Sequence, residues 1–447
     1  MHKFYLNNKY IVLDVNSGAV HVVDKIVYDL LDYFKIKTLE EIVTLLSSLY
    51  SEEEIRDVYE EVKYLEIEGL LFSEATDISK LSYNEDNIVK AMCLHIAHDC
   101  NLKCEYCFAS QGNFKGARSM MSLDIGKKSL ELLAKNSGSR RNLEVDFFGG
   151  EPLMNFGLVK DLVNYGKELE VEYNKNFRFT ITTNGLLLDE EKIDFINEHM
   201  DNIVLSLDGR KEVNDNMRKT INDEGSYEII LPKFKAMVEK RGNKDYYIRG
   251  TFTSKNIDFS NDALDFYKQG FKKISIEPVV TSEEMDYALK EEHLDAVLAE
   301  YEKFSKDYID IKREDEDFYF FHFMVDLSQG PCIIKRAVGC GAGSEYLAIT
   351  PELDLYPCHQ FVGEEQFKLG TVHSGVTNTE LRDKFKNANV NNKEECRSCW
   401  ARFYCSGGCH ANAYYAHNDL MKPYEIGCKM EKKRIECAIS VVANLEY

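Results

Sequence analysis

Between residues 91 and about 311, short apolar runs alternate with amphipathic stretches of helical period. Strand-like runs fall at Ala91–His98, Leu143–Phe148, Phe177–Thr183, Asn202–Leu207, Tyr246–Thr253 and Lys273–Val280. Helical periodicity occupies Leu123–Lys135, Leu158–Glu170, Glu190–His199, Ile229–Lys240, Asp262–Gln269 and about Glu292–Tyr308. Six βα units in some 220 residues are fewer than a closed eight-fold barrel of about 250 residues needs, so an open, partial barrel is expected. The polar motifs FGGEP, TTNG, SLDG and RGTFT each sit at the end of a strand, at the edge where parallel α/β folds bind ligands.

Residues 1–75 read as a separate α+β unit. KFYLNNKYIVLDV and AVHVVD have strand character, with a turn at Asn16-Ser17-Gly18. Helices are expected over Lys25–Phe34, Thr38–Leu49 and Ser51–Gly69. Thr38 and Ser51 cap the last two, with Glu41 and Glu54 three residues on as a capping box requires. A strand at Leu70–Ser73 would close the unit, and residues 76–90 read as a linker. From about 312 the chain looks irregular and cysteine-rich, its shape set by metal rather than by a large apolar core.

The chain has 447 residues, 44% of them apolar, which excludes wholesale disorder and suits two or three domains. A formal net charge of −21 argues against nucleic-acid and membrane partners. No run approaches 18 apolar residues, and MHKFYLNNKY lacks the apolar core of a secretory signal, so a cytoplasmic location is expected. There the 13 cysteines point to metal or redox chemistry rather than disulfides. Four lie between Cys93 and Cys107 and nine between Cys332 and Cys437.

Cys100, Cys104 and Cys107 put three thiols on the loop after the first barrel strand. Three thiolates can hold three irons of a [4Fe–4S] cluster and leave the fourth open to a ligand. The competing reading is a zinc site completed by His95 or His98. Gly149, Gly150 and Glu151 follow the second strand, where backbone groups and a carboxylate could bind an ammonium group. Farther on, Cys396, Cys399, Cys405 and Cys409 are followed by Cys428 and preceded by Cys340 and Cys358. A zinc ribbon would account for four thiols and not for seven or eight. Cys93, within a strand, and Cys437, on a charged helix, read as structural.

The CxxxCxxC and GGEP motifs resemble the radical S-adenosylmethionine (SAM) superfamily. The resemblance implies that the open iron chelates SAM, that Gly149, Gly150 and Glu151 meet its amino group, and that Tyr106 lies near adenine. Asn184, Ser206, Asp208, Arg218 and, more weakly, Arg249 match other positions near SAM. The later cysteines resemble the SPASM extension with its two auxiliary [4Fe–4S] clusters, three clusters in all. By position Cys396, Cys399, Cys405 and Cys428 would hold the outer auxiliary cluster, and Cys340, Cys358 and Cys409 the inner one. Cys332 is a candidate fourth inner ligand; without it an iron faces the substrate. Leu353 stands where the family usually has glycine, and the Cys340–Cys358 gap is slightly long.

Residues 1–75 resemble the winged-helix-like RiPP recognition element, which binds a leader peptide as an added strand; their acidic helices speak against a DNA reader. The segments VLDVNSGAVHVVD, AHDCNLKCEYCFASQG, DFFGGEP and GCGAGSEYLAITPELDLYPCHQF resemble maturases of six-cysteine (SCIFF) peptides. The resemblance implies SAM cleavage to methionine and a 5′-deoxyadenosyl radical. A thioether then forms between a donor cysteine and an acceptor residue, threonine by family analogy. The partners implied are a cysteine-rich precursor peptide with its leader and an electron donor such as flavodoxin or ferredoxin. The alternatives are a sulfatase-maturing oxidase and a zinc-stabilised peptide-binding scaffold.

Overall fold

The computed structural model describes residues 1–75, 86–327 and 337–446. Cys332 and most of the expected linker lie outside these residues.

The first unit is a three-stranded antiparallel sheet, β1 (His2–Leu6), β2 (Lys9–Leu13) and β3 (Val20–Val23), followed by α1 (Lys25–Leu30), α2 (Leu39–Leu46) and α3 (Glu52–Ile67). Asn7 and Asn8 both take positive φ (48° and 62°) and fold KFYLNNKYIVL into a hairpin rather than one long strand. Both capping boxes form: the Thr38 and Ser51 hydroxyls accept from Glu41 N and Glu54 N, and each glutamate returns a bond to the cap backbone. The expected strand Leu70–Ser73 does not form, because Phe72 sits at φ 55°, in the left-handed region. Ser73 N instead donates to Asp14 Oδ2 at 3.1 Å, and its carbonyl accepts from Asn16 Nδ2 at 2.8 Å.

The unit has its own small core of Val12, Leu30, Ile42, Ile55 and Val62. The opposite face of its sheet does not stand free. Phe4, Leu6, Ile11 and Leu13 join the main core of the molecule, and Asn7 Nδ2 donates to Ser305 and Ser440 Oγ at 3.0 and 3.1 Å.

The main sheet is built from six parallel strands in sequential order: β4 (Ala91–His98), β5 (Asn142–Gly149), β6 (Asn176–Thr183), β7 (Asn202–Ser206), β8 (Tyr247–Phe252) and β9 (Lys273–Pro278). Between them run α4 (Leu123–Asn136), α5 (Phe156–Tyr173), α6 (Glu190–His199), α7 (Tyr227–Arg241) and α8 (Phe259–Lys268); α9 (Leu294–Glu314) follows the last strand. Helix α7 is longer than its expected span and carries Pro232 inside. Along β5, Leu143, Val145 and Phe147 are buried while Glu144, Asp146 and Phe148 are half-buried, the period-two pattern of a strand packed on one face. The sheet does not close. Tyr319–Phe320 pairs with β9 at one side, and β10 (Tyr346–Ile349) pairs parallel to β4 at the other. This is the open (β/α)6 barrel.

The carboxy-terminal part corrects the expectation of irregularity. β10 continues through β11 (Asp354–Tyr356), Gly370–Thr371 and Gly375–Val376 as an antiparallel meander that extends the barrel sheet. The chain ends in α10 (Glu425–Glu446), whose Ile426, Met430, Ile435, Cys437, Ile439 and Val441 enter the main core beside α9 and β1. Apolar burial therefore shapes this region together with the β1–β2 hairpin. Cys93 and Cys437 are both buried within that core.

Candidate cofactor and peptide site

Strand β4 ends at His98, and the chain turns into a loop pinned from two sides. Leu102–Cys104 forms a short antiparallel ribbon with Arg218–Thr220, which pairs Cys104 with Arg218, and Cys107 N donates to Cys104 O at 3.2 Å. Cys100, Cys104 and Cys107 thereby line one cavity of about 170 Å³ at the carboxyl ends of the strands. The same walls carry Tyr106, Gly149, Gly150, Asn184, Ser206, Arg218 and Arg249, together with Glu277 and Gln360. Burial pushes the thiols of Cys100 and Cys104 up to about 12, with Glu151 adding to the first and Arg218 opposing the second. Such thiols bind when a metal displaces their protons.

Gly149 (φ 118°) and Gly150 explain themselves sterically. A Cβ on either would lie 2.3 Å from Ala97 O or 2.1 Å from Asp99 O, so the strand end and the cluster loop meet backbone to backbone. Glu151 is placed differently from the expectation. It is fully buried and absent from the cavity wall, its carboxylate accepting from Leu153 N at 3.0 Å, Thr183 Oγ1 at 2.8 Å and Asn184 N at 2.8 Å. It holds Asn184, whose Nδ2 reaches Asn101 Oδ1 at 2.8 Å and Cys100 Sγ at 3.7 Å. Burial outweighs these donors and raises the Glu151 carboxyl to about 7.

Asp208 is likewise a brace behind the wall. It is fully buried, accepts from Tyr106 Oη at 2.6 Å and Thr251 N at 3.0 Å, and lies 3.0 Å from Arg218 Nε. Arg218 also stands 5.5 Å from the Tyr106 ring centroid, so one carboxylate orients both side chains toward the cavity. Arg249 is exposed, and Ser206 is half-buried.

The later cysteines fall into two groups. Cys396, Cys399, Cys405 and Cys428 line a second cavity of about 250 Å³. Cys396 and Cys405 lie on two single helical turns, Glu394–Arg397 and Arg402–Cys405, Cys399 on the link between them, and Cys428 at the start of α10. The Cys358 thiol is raised by burial and by its neighbours Cys409 and Cys340, which defines the other group. Cys358 precedes a 3-10 turn, His359–Phe361, that leans over the first cavity. His359 lies 5.5 Å from Phe108 and 5.1 Å from Phe148, ring centroid to ring centroid, and Gln360 is part of the cavity wall.

Among the described residues, no three His, Cys, Asp or Glu side chains converge closely enough to hold a single metal ion. Three thiols line the first cavity and four the second, a donor set that fits a multi-iron cluster at each.

Three residues were not singled out from the sequence. Lys393 is buried, and its Nζ donates to Gly407 O at 2.8 Å; burial lowers its pKa against the nearby thiols of Cys396, Cys405, Cys409 and Cys428. Glu277 and His322 meet at the end of β9. Glu277 ends a strand like the other site residues and was legible on that ground; Lys393 gave no signal. Leu353, at the position where glycine is usual, takes φ 77°, which is why the turn favours glycine.

An open α/β barrel with three cysteines after its first strand is the radical SAM arrangement. Residues 94–251 match the model of the Radical SAM superfamily. The cysteine-type anaerobic sulfatase-maturating enzyme of Clostridium novyi is 26% identical over 334 residues, covering 70% of this chain and 86% of its own length. Native anSMEcpe with bound AdoMet and Cp18Cys peptide superposes with a TM-score of 0.64 at 20% identity, over 80% of this chain and 99% of that one. SuiB of Streptococcus suis, bound to the precursor peptide SuiA, superposes with a TM-score of 0.53 at 15% identity, over 95% of this chain and 98% of that one. No helix of the described residues is long and apolar enough to cross a membrane.

Proposed function

We propose that this radical SAM protein forms thioether cross-links in a cysteine-rich precursor peptide, joining a cysteine sulfur to a carbon of an acceptor residue, threonine by family analogy. The observation that carries the reading is the shared cavity: Cys100, Cys104 and Cys107 line it together with Gln360, which belongs to the turn that follows Cys358. A peptide lying between them would present its acceptor carbon to one cysteine group and its donor thiol to the other.

Cys100, Cys104 and Cys107 would hold a [4Fe–4S] cluster and SAM, which together supply one-electron cleavage of SAM and removal of a hydrogen atom from a carbon. Overall, the peptide loses that hydrogen atom, the thiol proton and one electron, while SAM yields methionine and 5′-deoxyadenosine. Asn184, Arg218 and Tyr106 would orient SAM, with Glu151 and Asp208 fixing their positions. Cys340, Cys358 and Cys409 would hold the inner auxiliary cluster, and Cys396, Cys399, Cys405 and Cys428 the outer one, giving the surplus electron a way out. Residues 1–75 would bind the leader as a strand added to their sheet.

A second reading, a sulfatase-maturing oxidase, is favoured by the Clostridium novyi relative. The two separate on product. Replacing Cys100, Cys104 and Cys107 together by Ala should abolish 5′-deoxyadenosine formation and remove about one cluster's worth of iron. Retained 5′-deoxyadenosine formation sinks both readings.

A further inference from the structure

Glu277, at the end of β9, puts a carboxylate in the cavity wall. It is held from behind by three groups. His322 Nε2 lies 3.0 Å from Oε1, Ser275 Oγ donates to the same oxygen at 3.3 Å, and Arg434 Nη1 stands 3.7 Å from Oε2. The His322 and Arg434 side chains are only 5% and 18% exposed, while Glu277 keeps 28% of its side-chain surface open. Burial alone would raise the Glu277 carboxyl, but His322, Arg434 and Arg249 hold it well below the usual carboxylate range. The cavity wall therefore carries a carboxylate fixed by His322, Ser275 and Arg434.

Position along the chain separates this group from those assigned to SAM. Every residue matched to a SAM contact lies between Cys100 and Arg249, within the segment 94–251 that matches the superfamily. Glu277, His322 and Arg434 all lie beyond it, on β9, on the short turn Phe321–Phe323 and on α10. Gln360, which shares the wall with Glu277, belongs to the turn beside Cys358. What radical SAM domains have in common is the cofactor, so a charged group outside the common segment serves what differs, the substrate.

We propose that Glu277, held in place by His322 and Arg434, accepts a hydrogen bond from the hydroxyl of the acceptor residue and so selects threonine over valine, its apolar isostere. This rests on the peptide-maturase reading above. A site built around a substrate hydroxyl rejects an analogue lacking it, and one charge-assisted bond amounts to about ten- to a hundredfold in kcat/KM.

The test uses the full-length enzyme with its clusters reconstituted and two synthetic six-cysteine peptides, one with threonine and one with valine at the acceptor positions. The wild type should prefer threonine by at least about tenfold in kcat/KM. Glu277→Gln should bring the preference below about threefold, chiefly by losing rate on the threonine peptide, and Glu277→Asp should restore part of it. His322→Ala, which leaves the carboxylate but frees its orientation, should lie between, and it decides the matter if Glu277→Gln does not fold. In each folded variant the iron content and the SAM dissociation constant, measured by equilibrium dialysis, should stay within about twofold of wild type. An undiminished threonine preference in Glu277→Gln overturns the proposal. So does a roughly tenfold weakening of SAM binding, which would assign the carboxylate to the cofactor. A wild-type enzyme that cross-links neither peptide overturns the maturase reading, and this proposal with it.

Discussion

Gly150→Ala tests whether the cluster loop and the second strand end are locked together. The added Cβ would lie 2.1 Å from Asp99 O, 2.6 Å from Asp99 C and 3.0 Å from Gly112 Cα, all backbone atoms that cannot swing aside. Ordinary contact begins at 3.4 Å, so the segments must part by about 3.4 − 2.1 = 1.3 Å. That movement strains the bonds from Gly150 N to Ala97 O (2.8 Å) and from Glu151 N to Asp99 O (2.9 Å). Two backbone bonds at about 1 kcal/mol each, plus 1–3 kcal/mol of overpacking, give a loss of roughly 3–5 kcal/mol. The melting temperature should fall by roughly 3–5 °C. Because Asp99 precedes Cys100, SAM affinity should also fall. Gly157→Ala is the control: its Cβ meets nothing within 4 Å, and helix α5 should gain about 0.5–1 kcal/mol. The assay is thermal melting and SAM binding of the reconstituted protein. A Gly150→Ala variant that melts within about 1 °C of wild type and binds SAM as tightly would refute the reasoning.

Two further perturbations follow from the fold. Removing residues 1–75 strips Phe4, Leu6, Ile11 and Leu13 from the main core, a loss on the order of 6–12 kcal/mol and an upper bound. The truncated chain should therefore fail to fold stably, and a soluble truncation with wild-type melting would show that the hairpin is dispensable. Lys393→Met removes a buried cation beside Cys396, Cys405, Cys409 and Cys428 and should lower the auxiliary-cluster potentials by on the order of 100 mV, with Lys393→Arg restoring most of it. EPR-monitored potentiometry reads the shift, and unchanged potentials would remove Lys393 from the account.

The sequence made the barrel legible because its strands and helices carry clean periodicity. Ala91–His98 and Glu190–His199 have the expected bounds, and the Thr38 and Ser51 boxes form as read. What escaped depended on backbone signs and on tertiary partners. The Asn7-Asn8 turn needs two residues at positive φ, and Phe72 leaves the extended region against its β propensity. The cysteine-rich end looked coreless because α10 shares its apolar face with α9 and β1, which lie far away in the chain. At the site, motif spacing named residues that do stand around one cavity, but it could not tell wall from brace. Glu151 and Asp208 spend their oxygens on Asn184, Tyr106 and Arg218, a division only three-dimensional hydrogen bonding reveals. Lys393 stayed hidden because its partners come from other segments, and Glu277, legible as a strand-end residue, kept its partners His322 and Arg434 hidden for the same reason.

The central claim is the chemistry performed in the shared cavity. Its most direct test is high-resolution mass spectrometry of a six-cysteine precursor peptide incubated anaerobically with the reconstituted enzyme, SAM and a reductant. The account predicts loss of two hydrogen atoms per cross-link, fragments linked from cysteine to threonine, and 5′-deoxyadenosine in step with the cross-links. Peptide of unchanged mass, or cysteine converted to formylglycine with no linked fragments, would contradict it.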